Sequence, residues 1–107
     1  MLKLFTVLLP LLAAFPAEVL AGAPDAGRQA QLLYLLKHDC GSCHGMTRKG
    51  GLGPALLPEN LRDRPDELLV NTILDGRPGT PMPPWRGELS AADARWLVEA
   101  LNRGEGL

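Results

Sequence analysis

Two thiols and an imidazole lie within five residues, Cys40-Gly41-Ser42-Cys43-His44, and they are the side chains of this chain best spaced to do chemistry together. Cys-x-x-Cys-His is the attachment spacing of a c-type haem. Two intervening residues put both sulfurs on one side of a helical turn, where they can add to the two vinyl groups along one porphyrin edge. The histidine that follows is then close enough to coordinate the iron. Other chemistries use the same thiols. A Cys40–Cys43 disulfide would close too small a loop to constrain the unfolded chain. A thiol-disulfide oxidoreductase needs a βαβ setting, and no run of alternating β-branched residues exists here to build a sheet. Zinc would need at least one more ligand, and the only other histidine is His38, two residues before Cys40.

Haem iron has two axial positions, and in this reading His44 fills one. Met46 lies two residues after His44, on the wrong side of the ring, and His38 shares the helix end that carries the motif, so it reads as solvent-exposed. Met82 lies 38 positions beyond His44, ample chain to pass around the haem edge. Pro81, Pro83 and Pro84 flank it, and their fixed φ angles and missing N–H groups stiffen the segment. Alone, Met82 would read as a core gap-filler; beside the haem motif it reads as the thioether ligand. The His44 ring must be oriented through its Nδ1–H, and the Gly53-Pro54 loop can bring a backbone oxygen there; the alternative for Pro54 is a simple turn proline. Arg77, Trp85 and Tyr34 are candidates to bond the haem propionates, with solvation or core packing as the other readings. Trp96 reads as a helix-packing residue. Arg48 and Lys49 read either as a solvated loop or as residues beside an exposed haem edge. With both axial positions filled by protein, no position is left for dioxygen, nitrite or peroxide. The expected role is one-electron transfer with no enzymatic activity, and a thioether ligand raises the potential.

The elements that must position these groups are helical. Asp25 is the expected N-cap of a first helix running to about His38, with Leu32, Leu33, Leu35 and Leu36 on its apolar side. From Gly45 to Pro58, glycine and proline predict a loop. A further helix is expected from about Pro65 to Asp75, with proline in its first turn, a stop at Gly76, and an inner face of Leu68, Leu69, Thr72 and Ile73. Residues 77 to 85 form a second proline-rich loop. The last helix starts at Ser90, with Asp93 completing a capping box, carries Ala94, Leu97, Ala100 and Leu101 as its stripe, and ends at Gly104. The fold class is therefore all-α, three to four short helices with long loops wrapped around one haem.

The chain has 107 residues. Residues 1–21 read as a cleaved signal peptide: Lys3 supplies the positive region, Leu4 to Ala14 the apolar run, and Val19-Leu20-Ala21 the cleavage site. The apolar run is shorter than a spanning helix needs and is interrupted by Pro10, Pro16 and Glu18. Export to the periplasm and no stable membrane insertion are expected, leaving one domain over 22–107. Only five aromatic residues serve the whole chain, two of them in the leader, so a buried porphyrin would supply apolar bulk that the core lacks. A formal charge of −1 with no basic stripe makes nucleic acid an unsuitable partner.

The motif Cys40 to Gly45, then Gly53-Pro54-Ala55-Leu56, then Pro81-Met82-Pro83-Pro84 and a closing helix resemble the class I cytochromes c in their small bacterial form. Within that class, Asp39 to Gly53 and Ile73 to Trp85 resemble the small c55X-type cytochrome encoded with the denitrification nitrite reductase. The resemblance implies a periplasmic monohaem protein, a monomer, with Cys40 and Cys43 in thioethers to haem c, His44 and Met82 axial on the iron, and the Pro54 carbonyl on His44. It also implies redox protein partners: electron donation to a cytochrome cd-type nitrite reductase, or a role in maturing that enzyme's special haem. A small-ligand binder or sensor, or a carrier of another respiratory chain, is the alternative. The sequence departs from the class at one point. A glycine and an aromatic residue usually stand eight and four positions before the first motif cysteine, where the first and last helices cross, and here these are Leu32 and Leu36.

Overall fold

The computed structural model describes residues 2–4, 7, 10, 11 and 22–107. The expected leader cleavage site falls outside the described residues. Among those described there is no strand, and no helix is long and apolar enough to cross a membrane.

Helix α1, Ala26–Leu35, begins where the Asp25 carboxylate accepts the Arg28 backbone N–H at 2.8 Å. It does not stop near His38. The chain runs on through a π-helical turn, Leu36–Cys40, into α2, Gly41–His44. No glycine or proline interrupts the sequence between Gly27 and Gly41, so nothing local ends the helix sooner. A π turn inserts an extra residue into the helical repeat and so resets which face later residues occupy. Leu36 is buried in the core, while Cys40, Cys43 and His44 line a cavity beside it.

A short helix not anticipated from the sequence, α3, Pro58–Leu61, starts on proline and buries Leu61. Helix α4, Asp66–Asp75, has Pro65 as its N-cap, one residue outside the expected first turn. Its packing face is Val70 and Leu74. Of the expected inner face, Leu69 and Ile73 pack against the core, while Leu68, Leu69 and Thr72 line the cavity, and Leu68 is half exposed. The helix thus has two apolar sides, one for protein and one for the cavity.

Helix α5, Ala91–Arg103, carries the capping box as expected: Asp93 N–H donates to Ser90 Oγ at 3.0 Å and Ser90 N–H to Asp93 Oδ2 at 3.2 Å. Ala94, Leu97, Ala100 and Leu101 are all buried, with Val98 beside them, and Gly104 in the left-handed conformation ends the helix. The helix packs against α1, α3 and α4. Leu32 and Leu36 belong to one cluster with Ala94, Leu97 and Val98. Bulk at the class-departure positions, Leu32 on α1 and Leu36 in the π turn, shares this cluster with a small residue, Ala94, on α5. Arg28 Nη2 to Asp93 Oδ2, 2.9 Å, ties the two helices by an ion pair.

Candidate functional site

Four separated stretches of chain meet around a cavity of about 640 Å³. The π turn and α2 bring Cys40, Cys43 and His44; the following loop brings Gly53, Pro54 and Leu56; α3 and α4 supply Leu61, Leu69 and Thr72; the proline-rich loop supplies Met82 and Trp85. The volume falls within the roughly 300–1,000 Å³ of small-molecule and cofactor pockets. A narrower apolar recess continues from it toward Leu36, Leu97 and Leu101 in the core. Every residue expected at the site, Cys40, Cys43, His44, Pro54 and Met82, lines this one cavity.

His44 is held by the loop that follows it. Gly50 N–H donates to the His44 carbonyl and Gly53 N–H to the Cys43 carbonyl, each at 2.8 Å, folding the loop back onto α2. His44 Nδ1 lies 2.7 Å from the Pro54 carbonyl oxygen. A carbonyl only accepts, so Nδ1 carries the hydrogen and donates it, leaving Nε2 as the nitrogen with a free lone pair. Position 53 must be glycine for this geometry: a β-carbon there would stand 2.8 Å from His44 Cε1 and 2.9 Å from Nδ1.

Both cysteines are free of disulfide bonding. Burial, reinforced by the charge of Asp39, pushes the Cys40 thiol up to about 11. A thiol so placed is protonated at neutral pH and is a poor nucleophile, which weakens the thiol-disulfide reading. No group of three or more His, Cys, Asp or Glu side chains among the described residues is arranged to hold a bare metal ion.

The Met82 segment is fastened to the end of α4. Arg77 N–H donates to the Met82 carbonyl at 3.2 Å, Trp85 N–H to the Ile73 carbonyl at 3.1 Å, and Arg86 N–H to the Leu74 carbonyl at 3.0 Å. The last two bonds satisfy carbonyls left over at the helix C-terminus. Thr80 Oγ1 donates to the Arg77 carbonyl at 2.6 Å, stiffening the turn that precedes Met82. Gly76 allows the approach, since a β-carbon there would lie 2.7 Å from the Met82 oxygen.

The remaining expectations divide. Trp85 and Arg77 line the cavity, as do Arg64 and Asn60, which sequence reading missed because the α3 region carried no recognisable signal. Tyr34 is not in the lining; its ring stacks on exposed His38, centroids 4.2 Å apart. Trp96 packs against the core. Arg48 is neither solvated nor at an exposed edge: it is 5% exposed, while Lys49 beside it is exposed.

The donor set suits a covalently held porphyrin. Two thiols stand on one wall, an imidazole with Nε2 free and a thioether line the same cavity, and most of the wall is apolar. Comparisons with known proteins agree. Residues 27–99 match the family model described as cytochrome c oxidase, cbb3-type, subunit III. Cytochrome c55X of Pseudomonas aeruginosa strain PAO1 is 66% identical over 82 residues, 77% of this chain and 69% of the relative. The solved c-type cytochrome NirC superimposes with a TM-score of 0.75 at 67% identity, covering 77% of this chain and 96% of that one. A further relative, dihydro-heme d1 dehydrogenase of the same strain, is 40% identical over 83 residues, 78% of this chain but only 17% of the relative. The motif, the helical fold and these likenesses together place the chain in the cytochrome c55X family of c-type cytochromes, with covalent haem c as its cofactor.

Proposed function

We propose that this protein is a periplasmic one-electron carrier that serves denitrification. The observation that carries the reading is the single cavity that gathers Cys40, Cys43, His44 and Met82, with His44 Nδ1 tied to the Pro54 oxygen. Haem c, when bound, supplies a one-electron iron couple. Cys40 and Cys43 would hold it through thioethers, and His44 Nε2 and the Met82 sulfur would be its protein ligands. The Pro54 carbonyl keeps the imidazole in one tautomer and one orientation, so the nitrogen ligand is the same in both oxidation states. The bonds from α4 to the proline-rich loop hold the weak thioether in place. With His44 and Met82 both holding the iron, no position would be left for a substrate, which favours electron transfer over catalysis. Arg64 and Arg77, the cationic side chains of the lining, are the groups suited to the propionates.

Residues 1–21 act as a cleaved signal peptide in this reading, and the 22–107 domain works in the periplasm as a monomer. The partner is a cytochrome cd-type nitrite reductase or the machinery that matures its haem. The c55X relatives support the first, and the shared domain in a dihydro-heme d1 dehydrogenase supports the second.

The reduced protein is expected to show a low-spin c-type α band, and the oxidised protein a methionine-to-iron charge-transfer band that Met82→Ala abolishes. A high-spin spectrum defeats the Met82 assignment, and rapid carbon monoxide binding by the reduced protein at neutral pH favours a ligand-binding role. Stopped-flow mixing of the reduced protein with a cytochrome cd-type nitrite reductase tests the partner. Failure to transfer electrons moves the assignment to haem maturation or to another respiratory chain.

A further inference from the structure

We propose that Arg48 is a fixed positive charge that raises the reduction potential of the haem, an inference that rests on the haem reading of the site. Arg48 follows His44 by four residues and is stitched into the turn after the motif. Its N–H donates to the Gly45 carbonyl and its carbonyl accepts from Leu56, each at 2.9 Å, and Leu56 belongs to the cavity wall. The residue is 5% exposed, and it is the one non-glycine among the described residues with a positive φ, 60°. Its Nη1 is buried without a hydrogen-bond partner. Nη2 is packed under the C-terminal turn, so near Gly106 that a β-carbon there would come within 3.2 Å. Among the described residues no carboxylate pairs with it; Glu105, which faces it electrostatically, is bonded to Arg103 at 2.7 Å.

A guanidinium nitrogen buried without a partner destabilises a fold, and left-handed backbone at a branched or long side chain adds to that cost. Groups of this kind persist where they serve a site. The main chain ties Arg48 to the site, four residues after His44 and bonded to Leu56 of the cavity wall, and its charge opposes the rise of the Cys40 thiol. Burial pulls the Arg48 ionisation downward from its ordinary range, with Cys40 and Glu105 acting in the opposite sense. An arginine still keeps its proton at neutral pH. One-electron reduction, with the electron supplied by a redox partner, lowers the charge of the porphyrin-iron unit by one. A positive charge held behind the cavity wall, where the Arg48 main chain bonds Leu56, therefore favours the reduced form.

The test is an equilibrium redox titration of the holoprotein and of Arg48→Gln, Arg48→Lys and Glu105→Gln, with the methionine charge-transfer band followed in each. Arg48→Gln is expected to lower the reduction equilibrium constant on the order of tenfold, about 59 mV for a one-electron couple. Arg48→Lys stays near the wild-type potential, and Glu105→Gln, which removes an opposing charge, shifts it upward. A purely structural Arg48 would alter melting and leave these potentials together. An unchanged potential in Arg48→Gln with the band intact overturns the proposal, as does Arg48→Lys falling as far as Arg48→Gln. Should Arg48→Gln fail to assemble, a Glu105→Gln potential that does not rise overturns it as well. Wild-type protein that carries no haem c refutes the reading of the site itself, which the spectrum reports before any titration.

Discussion

At His44 the chemistry turns on which ring nitrogen carries the proton, and a backbone oxygen decides it. The Pro54 carbonyl at 2.7 Å accepts from Nδ1, so Nε2 is left with its lone pair free. Gly53 makes that contact possible by having no side chain against the ring. Gly53→Ala is therefore expected to push the imidazole off the Pro54 oxygen, at a cost of about 1–3 kcal/mol of stability from overpacking. The measurement is paired thermal melting and near-infrared spectroscopy, with a lower midpoint and a weakened methionine charge-transfer band as the expected result. Pro54→Ala, which keeps the carbonyl, should change the spectrum far less, and equal damage from both variants would show that the backbone bond is not what orients the ring. That the motif residues and Met82 line one cavity accords with local signals, spacing and flanking prolines. The burial of Arg48 was not legible in the sequence, because the turn that covers it, at Gly106, is 58 residues away in the chain.

Helix ends were readable to within a residue or so wherever a side chain or glycine marks them: Asp25, the Ser90 and Asp93 box, Gly76 and Gly104 all stand at the expected boundaries. The π turn at Leu36–Cys40 and the short α3 were not readable, since neither has a cap or a period long enough to register. On helix α4 the inner face was legible only in part: Leu69 and Ile73 pack on the core, but Val70 and Leu74 are the residues buried in it. Leu68, Leu69, Thr72 and Ile73 share a helical face as apolar as Val70 and Leu74, and periodicity cannot say which face meets protein and which meets a cavity. Gly76 joins this helix to the ligand loop with φ 67° and ψ −169°, a region open almost only to glycine. Gly76→Ala is expected to cost about 1–3 kcal/mol from backbone strain. It should also free the loop from the Arg77 to Met82 bond, because the new β-carbon collides with the Met82 oxygen. Faster displacement of Met82 by an added ligand such as imidazole or cyanide would report the loosening. A variant with lower stability but wild-type displacement rates would show that Gly76 sets the helix end and not the ligand.

Across the whole molecule, α1 and α5 pack against each other while α4 and the proline-rich loop wall the cavity, whose apolar recess reaches Leu97 and Leu101 of α5, so the site depends on that helix pair. Leu32 and Leu36 fill that crossing, and the Arg28 to Asp93 ion pair closes its edge at 2.9 Å. Asp93 does two tasks with one carboxylate, accepting from Arg28 on α1 and from the Ser90 N–H at the start of its own helix. The Arg28 hydrogen bond holds the Asp93 carboxyl below the ordinary aspartate value of 3.8; burial opposes the shift and the Ser90 bond adds to it. A carboxyl whose folded value lies below its unfolded one stabilises the fold fully above the unfolded value, and that contribution is lost as pH falls through the folded one. Stability should accordingly show no slope from this pair between pH 5 and 8 and should fall below about pH 4. Asp93→Asn keeps an oxygen that can accept from Ser90 but carries no charge at any pH. It should be less stable than wild type at pH 7, and the gap should narrow steadily on acidification. Urea unfolding of the two proteins at steps from pH 7 to pH 3 measures that gap directly, since every other carboxylate titrates in both. A gap that stays constant to pH 3 would place the role of Asp93 in the shape of the cap alone, and the charge between α1 and α5 would then contribute nothing to holding the site's scaffold closed.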